Sequence, residues 1–437
     1  MFPAGSVRRS GSLRLLLCTL MPTQSGTIMG SESQAGSAQR ARAVGLGRGG
    51  LVCGLATASL ALTTSALALE VPTGVACLPT SAVAPLCREL VITNNPPYPG
   101  SQSPQLPVQS FDPAFTEIVG RIPDLVPLAT GFGFLEGPAY LQDRQGAGGL
   151  LFITDQVHNS VFVMRWNGLD ARGAITPASW EKPRLFRNPS GVADGQTLDQ
   201  QGHLLIAETT GRRVSISWDL QANLRSPEPQ APSLVDRYQG KRLNSPNDLV
   251  VKSDGSVWFS DPSYGSLQFP QTAELPNNVY RYEPATAKLS VVESSLMMPN
   301  GIAFGPGEKQ LYLIDSAAIQ GPRTDFTYLP HRIYVYDVAA DGRQISNKRL
   351  FADVSPGFPD GMRLDEKGNV YVGALDGIQV FNPQGKLIGK FLMAKQTANL
   401  SFGGRDNNIL FIGSTDTLWA IKLNTRGLVP VRFGATL

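Results

Sequence analysis

Three features of this sequence set the fold class. Six short strand signals recur about every fifty residues, a polar residue stands at a near-constant distance before each, and helical periodicity of useful length is almost missing. Together they predict an all-β fold, a six-bladed β-propeller with a metal site at the mouth of its central channel. The strand signals are GGLLFITD, GHLLIAE, GSVWFSD, KQLYLID, GNVYVGA and NNILFIG. Each begins at a turn and runs through β-branched, aromatic or leucine residues. Their first apolar positions, Leu151, Leu204, Val257, Leu311, Val370 and Ile409, are spaced by 53, 53, 54, 59 and 39 residues. Four of the six end on an acid: Asp155, Glu208, Asp261 and Asp315. Between them lie further β-like runs, NSVFVMRW, RRVSISW, NVYRYEP and HRIYVYDV, which supply outer strands.

The chain has 437 residues, 42% of them hydrophobic and 17% charged, enough for a sizeable core. Its net charge of +3 comes from 38 basic and 35 acidic residues, and much of the excess lies in Arg8, Arg9, Arg14, Arg40, Arg42 and Arg48. The remainder is near neutral, which argues against nucleic acid or a broad anionic surface as partner. Residues 1–68 read as a leader, with Met29 as a second candidate start. Arg40, Arg42 and Arg48 precede an apolar run, Leu51 to Leu62, and Ala66-Leu67-Ala68 has the small-x-small form of a cleavage site. Cleavage after Ala68 is expected, giving a secreted or periplasmic protein. The run is too short and too rich in Gly and Thr for a stable membrane span. Residues 69–118 are Pro- and Ser-rich and read as an extension, with the propeller over 119–437. Cys77 and Cys87 survive that cleavage and could pair in an oxidising compartment. The sequence has no CxxC and no Cys/His cluster, which disfavours a structural zinc site.

The polar positions repeat with the strands. Counting back ten or eleven residues gives Asp194-Gly195, Asn247-Asp248, Asn300-Gly301, Asp360-Gly361 and Asn399-Leu400. In the first unit an insertion, Gln142 to Gly149, lengthens the spacing, and Glu136-Gly137 takes the place. One Asn-Gly or Asp-Gly step is an ordinary turn. Six at blade spacing converge on one end of a central channel. One Glu, two Asp and three Asn on one axis would repel one another without a cation. Carboxylate and amide oxygens suit a hard ion, calcium first, with Zn²⁺ or Mn²⁺ as lesser alternatives. Ligands on one side only would leave positions for water and substrate. Arg242 and Lys241 are candidate substrate anchors, and Tyr264 and Phe269 candidate parts of a wall or lid near the third blade. His158 is expected on the side opposite the metal, His203 in an exposed hairpin and His331 at a surface or blade boundary. Ser263 in DPSYG has no triad partners, and no GxSxG elbow occurs.

The segments FLEGPAY, LNSPNDLVVKSDGSVWFSDPSYG, MPNGIAFGPGEKQLYLID and PDGMRLDEKGNVYVG occur in that order between Gly131 and Leu423. They resemble the signatures of the gluconolactonase/senescence-marker-protein family, and DGIQVFNPQGKLIGK and TANLSFGG resemble its exported lactonohydrolase branch. The resemblance implies a six-bladed propeller with a divalent metal at the channel mouth. It implies Glu136 and Asn300 as metal ligands, and Asp360 as ligand and base. Asn247 matches a fourth position that touches metal or substrate. Asp194 and Asn399 share the blade position and would line the channel beside substrate. The implied reaction is hydrolysis of a lactone ester, such as D-glucono-1,5-lactone, by calcium polarisation of the carbonyl and attack of water. Ligand and base roles compete at Asp360, because a cation depresses a carboxylate pKa. A phosphotriesterase-like enzyme or an aromatic or pantoyl lactone hydrolase would use the same ring. A non-catalytic binding propeller would not need it, and a strictosidine-synthase-like propeller lacks the quartet. The expected partner is a small lactone, and the expected state a monomer or small homo-oligomer.

Overall fold

The second strand of each blade is apolar on both faces, and this dictates the architecture. In Gly149–Asp155, Leu150 and Phe152 face one apolar cluster while Leu151 and Ile153 face another. The same split recurs at Leu311 and Leu313 against Tyr312 and Ile314, and at Ile409 and Phe411 against Leu410 and Ile412. A strand buried on both sides must sit between two neighbours, so the sheets stack around an axis. The computed structural model of the chain describes residues 69–70, 108–120, 125–143, 146, 148–220, 224, 231–321, 324–326 and 328–428. The expected leader, its cleavage after Ala68 and the Cys77/Cys87 pair lie outside the described residues.

Six sheets of four or five strands occur among the described residues, one per blade of a six-bladed β-propeller, and their pairings are antiparallel except where Leu69–Glu70 joins Val126–Thr130 in parallel. The innermost strands are Leu135–Gln142, Ala193–Leu198, Leu249–Val251, Pro299–Phe304, Met362–Leu364 and Asn399–Gly403. The strands picked out from sequence are therefore second in each blade, and the ring residues do not sit in plain turns. Glu136, Asp194, Asn300 and Asn399 lie within innermost strands, and the register slips beside the first three of these. Short strands such as ADGQTL face a polar channel, so they carry little of the apolar signal that marks a strand.

Six apolar clusters fill the six gaps between neighbouring blades. Phe152, Phe411 and Tyr371 are wholly buried within them, and truncating one such ring to Ala costs about 3–5 kcal/mol. The chain closes on itself in blade six. There Val126–Thr130 pairs antiparallel with Thr417–Lys422, matching Val126 to Ala420 and Thr130 to Thr417. Val108–Ser110 adds to the outside of blade five along Leu387–Leu392. The following helix, Pro113–Val119, is N-capped by Asp112, whose carboxylate accepts from the Ala114 amide at 3.1 Å. It buries Phe115 and Ile118 against blades five and six.

Candidate metal centre

The acids that end the second strands mark one end of the channel. Asp155 accepts the Gly133 and Phe134 amides at 2.9 and 3.2 Å, just ahead of Glu136. Asp261 accepts the Asn244 and Ser245 amides at 2.9 and 2.8 Å, ahead of Asn247. Asp315 accepts those of Met297 and Met298 at 3.0 and 2.9 Å, ahead of Asn300. Each carboxylate clips the chain entering the innermost strand, so the ring residue behind it is delivered at a fixed height. This also corrects one expectation. His158 follows Asp155, which pairs with Leu135, so it lies at the same end as Glu136 rather than the opposite one. Its Nδ1 meets Asp155 Oδ2 at 2.7 Å. That hydrogen bond raises the imidazole pKa. His203 is half-buried, bonded to Asp199 and edge-on to Trp218, and His331 bonds the Val354 carbonyl.

Glycine after the ring residue is a matter of space. A Cβ at Gly195 would fall 2.5 Å from Asp248 Oδ1, one at Gly301 2.5 Å from the Asp360 carbonyl, and one at Gly361 2.6 Å from Asn399 Nδ2. One at Gly137, where φ is +45°, would strike the Asp194 carbonyl. Neighbouring innermost strands thus pass at backbone contact, as the Gly195 amide to Asn247 carbonyl bond of 2.7 Å shows.

The six ring side chains form three acid–amide pairs. Asn399 Nδ2 donates to Glu136 Oε2 at 3.0 Å, joining blades six and one. Asn247 Nδ2 donates to Asp194 Oδ2 at 2.8 Å, joining blades three and two. The third amide, Asn300 of blade four, acts on Asp360 of blade five and on Tyr264, lowering the pKa of each. Tyr264 in turn donates to the Ser316 carbonyl at 3.2 Å. Glu136, Asn247 and Asn300 are buried, and Asp360 is the more accessible member of the quartet.

The electrostatics are those of crowded acids. Burial pushes Glu136 well above the usual carboxylate range, and Asp360 and Asp194 push it further. Asp194 is raised by burial and then by Asp360 and Asp248. Asp360 rises to about 7, chiefly through burial, with Asp248 adding to the rise and the Asn300 hydrogen bond opposing it. Asp248 stands where four other blades place Gly. Arg363 reaches it from blade five, past blade four, with Nη1 3.3 Å from Asp248 Oδ2. This pair was not foreseen from sequence. Below it, at the far end of the innermost strands, a cavity of about 590 Å³ is lined by Gln142, Thr197, Val250, Phe304, Arg363 and Arg405.

The donor set fits a hard dication. Asn247 Oδ1 is buried and has no protein hydrogen-bond partner, which is costly for an amide carbonyl unless a water or a cation meets it. Glu136, Asn247, Asn300 and Asp360 together offer two carboxylates and two amide oxygens. A site of three or more His, Cys, Asp or Glu is not found among the described residues, so the amides are needed to complete this one.

Other candidates from the sequence are placed as follows. Tyr264 packs with Met298, Ala317 and Leu329 beside Asn300. Phe269 packs with Phe134, Val157, Val192 and Ala398, which immediately precede or overlie ring residues. The Arg242 guanidinium donates to the Gly211 carbonyl at 2.8 Å, and its amide to Glu274. Lys241 pairs with Tyr238 in a two-stranded hairpin on the same loop.

Comparison with known proteins gives a consistent result. The profile described as SMP-30/Gluconolactonase/LRE-like region matches residues 197–416. The chain is 28% identical to a gluconolactonase of Zymomonas mobilis over 337 residues, covering 73% of this chain and 87% of the relative. It is 26% identical to lactonohydrolase oryL of Aspergillus oryzae over 267 residues, covering 57% and 59%. A solved gluconolactonase structure from Xanthomonas campestris is 28% identical, with a TM-score of 0.59, covering 72% of this chain and 94% of that one.

Proposed function

This chain belongs to the SMP-30/gluconolactonase/LRE-like family, and from that premise we propose that it hydrolyses lactones at the ring described above. It is an ester-bond hydrolase, and its relatives in Zymomonas and Aspergillus bear the names gluconolactonase and lactonohydrolase. The observation that carries the reading is the unpartnered, buried Oδ1 of Asn247 inside a ring of paired acids and amides. Glu136, Asn247, Asn300 and Asp360 would hold the cation, and calcium suits their oxygens best. When bound, the ion supplies positive charge for the carbonyl oxygen of the substrate.

The rest is the work of the chain. The Asn300 amide favours the ionised form of the Asp360 carboxylate beside it. Asp360, the accessible member of the quartet, is placed to take a proton from attacking water. Asp194 and Asn399 complete the polar floor on which ring hydroxyls of a sugar lactone, D-glucono-1,5-lactone in the first instance, would rest. A second reading is a lactone carrying an aromatic or alkyl group. The apolar residues packed just above the ring, Phe134, Val192 and Phe269 on one side and Met298 on the other, favour it. Export to the periplasm or medium through the N-terminal leader is part of the same proposal, checked by sequencing the mature N-terminus.

The deciding experiment follows acid release from D-glucono-1,5-lactone and from dihydrocoumarin. It is run after chelation and again after calcium is restored. Calcium-dependent turnover of the sugar lactone supports the first reading, and preference for dihydrocoumarin the second. Inactivity on both, with or without calcium, refutes the proposal.

A further inference from the structure

Asp194 shares the blade position of the metal quartet but does a different job. We infer that Asp194 is a positioning residue, which by accepting Asn247 Nδ2 presents Asn247 Oδ1 to the channel axis as a fourth protein oxygen for a cation. The inference rests on the cation-binding reading of the ring. A carboxylate oxygen only accepts, so the amide must turn its nitrogen end towards Asp194, at 2.8 Å. The opposite flip would set oxygen lone pairs face to face. The carbonyl end is then fixed, buried and without a protein partner.

Asp194 is itself held. Thr209 Oγ1 donates to the same Oδ2 at 3.4 Å, and Thr154 Oγ1 holds the Asp194 carbonyl at 2.8 Å. The Gly195 amide to Asn247 carbonyl bond locks the two blades together behind the pair. With two donors on it, Oδ2 is spent as a ligand atom. Asn399 provides the contrast. Its Nδ2 serves Glu136 in the same way, but its own Oδ1 accepts the Leu400 amide at 2.8 Å and is not free for an ion. The blade-three asparagine therefore points an oxygen inwards, and the blade-six asparagine does not.

Isothermal titration of the purified full-length chain with calcium chloride tests this without reference to turnover. Asp194→Ala should weaken calcium binding by about 10- to 100-fold, as loss of a ligand-orienting partner does. Asn247→Ala should weaken it comparably, and the double variant no further than Asn247→Ala alone, because Asp194 acts through Asn247. Asp194→Asn, which keeps the shape and an acceptor oxygen, should retain most of the affinity and serves if Asp194→Ala does not fold by circular dichroism. Multiplicative losses in the double variant would overturn the inference. So would an Asp194→Asn loss as large as that of Ala, or a wild-type chain that takes up no calcium. D-glucono-1,5-lactone hydrolysis is measured alongside. An inactive wild type that shows the coupled calcium pattern would retire the lactonase reading and leave Asp194 in its role.

Discussion

Replacing Arg363 by Met should leave the propeller folded but measurably weaker, in a pH-dependent way. Asp248 is 1% exposed, and its wild-type partners are the Leu249 amide at 2.9 Å and Arg363 at 3.3 Å. At that separation the Coulomb attraction is about 5 kcal/mol for an effective dielectric of about 20. Breaking a buried pair from one side costs about 3–5 kcal/mol. The Arg363 side chain is 20% exposed, so solvent screening places the expected loss near the lower bound, about 3 kcal/mol at pH 7. With an unfolding entropy of about 2.1 cal/mol/K per residue, a domain of this size loses about 4–5 °C in Tm. Burial already raises the Asp248 pKa, and Arg363 is the largest influence opposing that rise. Without the arginine the folded pKa climbs further above the unfolded one. Such an acid contributes stability that is intact below its unfolded pKa and lost as pH rises through the folded value. The Tm deficit of Arg363→Met should therefore narrow between pH 7 and pH 5, followed by differential scanning calorimetry. Equal Tm values at pH 7, or a deficit that is flat with pH, would refute the pairing as a stabilising element.

Two further outcomes follow from the ring. In chelator, Tm should fall as pH rises from about 6 to 8, because Glu136, Asp194 and Asp360 all have raised folded pKa values, with Asp360 at about 7. Calcium at 100 times its Kd should restore about 2.7 kcal/mol, with tighter binding at pH 8 than at pH 6 because protons and calcium compete for the same oxygens, and a thermal shift insensitive to pH would contradict this. Gly361→Ala places a methyl group against the Asn399 amide and should drive it off Glu136. Lactone hydrolysis is expected to drop about 10- to 100-fold with the circular dichroism spectrum preserved, and full activity would show that Asn399 does not orient Glu136.

Legibility in the sequence followed burial. Second strands such as LLFIT and LYLI face apolar neighbours on both sides, so they appeared as unbroken apolar runs. The ring positions were found because their spacing from those strands is constant. Innermost strands escaped notice because their residues face a polar channel and their glycines answer to a neighbouring blade. Outermost strands such as Ile345–Asp353, mostly exposed, carry no apolar pattern either. His158 was misplaced because the second strand was taken for the innermost one, which inverted the ends. The Asp248–Arg363 contact joins residues 115 positions apart and has no periodic signature. Its one trace was the aspartate standing where four other blades have glycine.

The joining of Val126–Thr130 to Thr417–Lys422 has a bearing on when this protein becomes functional. Glu136 and Asn399, which hydrogen-bond across 263 residues, cannot meet until the last blade has found the first strand. A nascent chain lacking its final strands carries Glu136, Asn247, Asn300 and Asp360, yet Glu136 is not held in place by Asn399 until the ring closes. Uptake of calcium during refolding would then signal that the circle has shut, and a chain cut short before Thr417 would never give that signal.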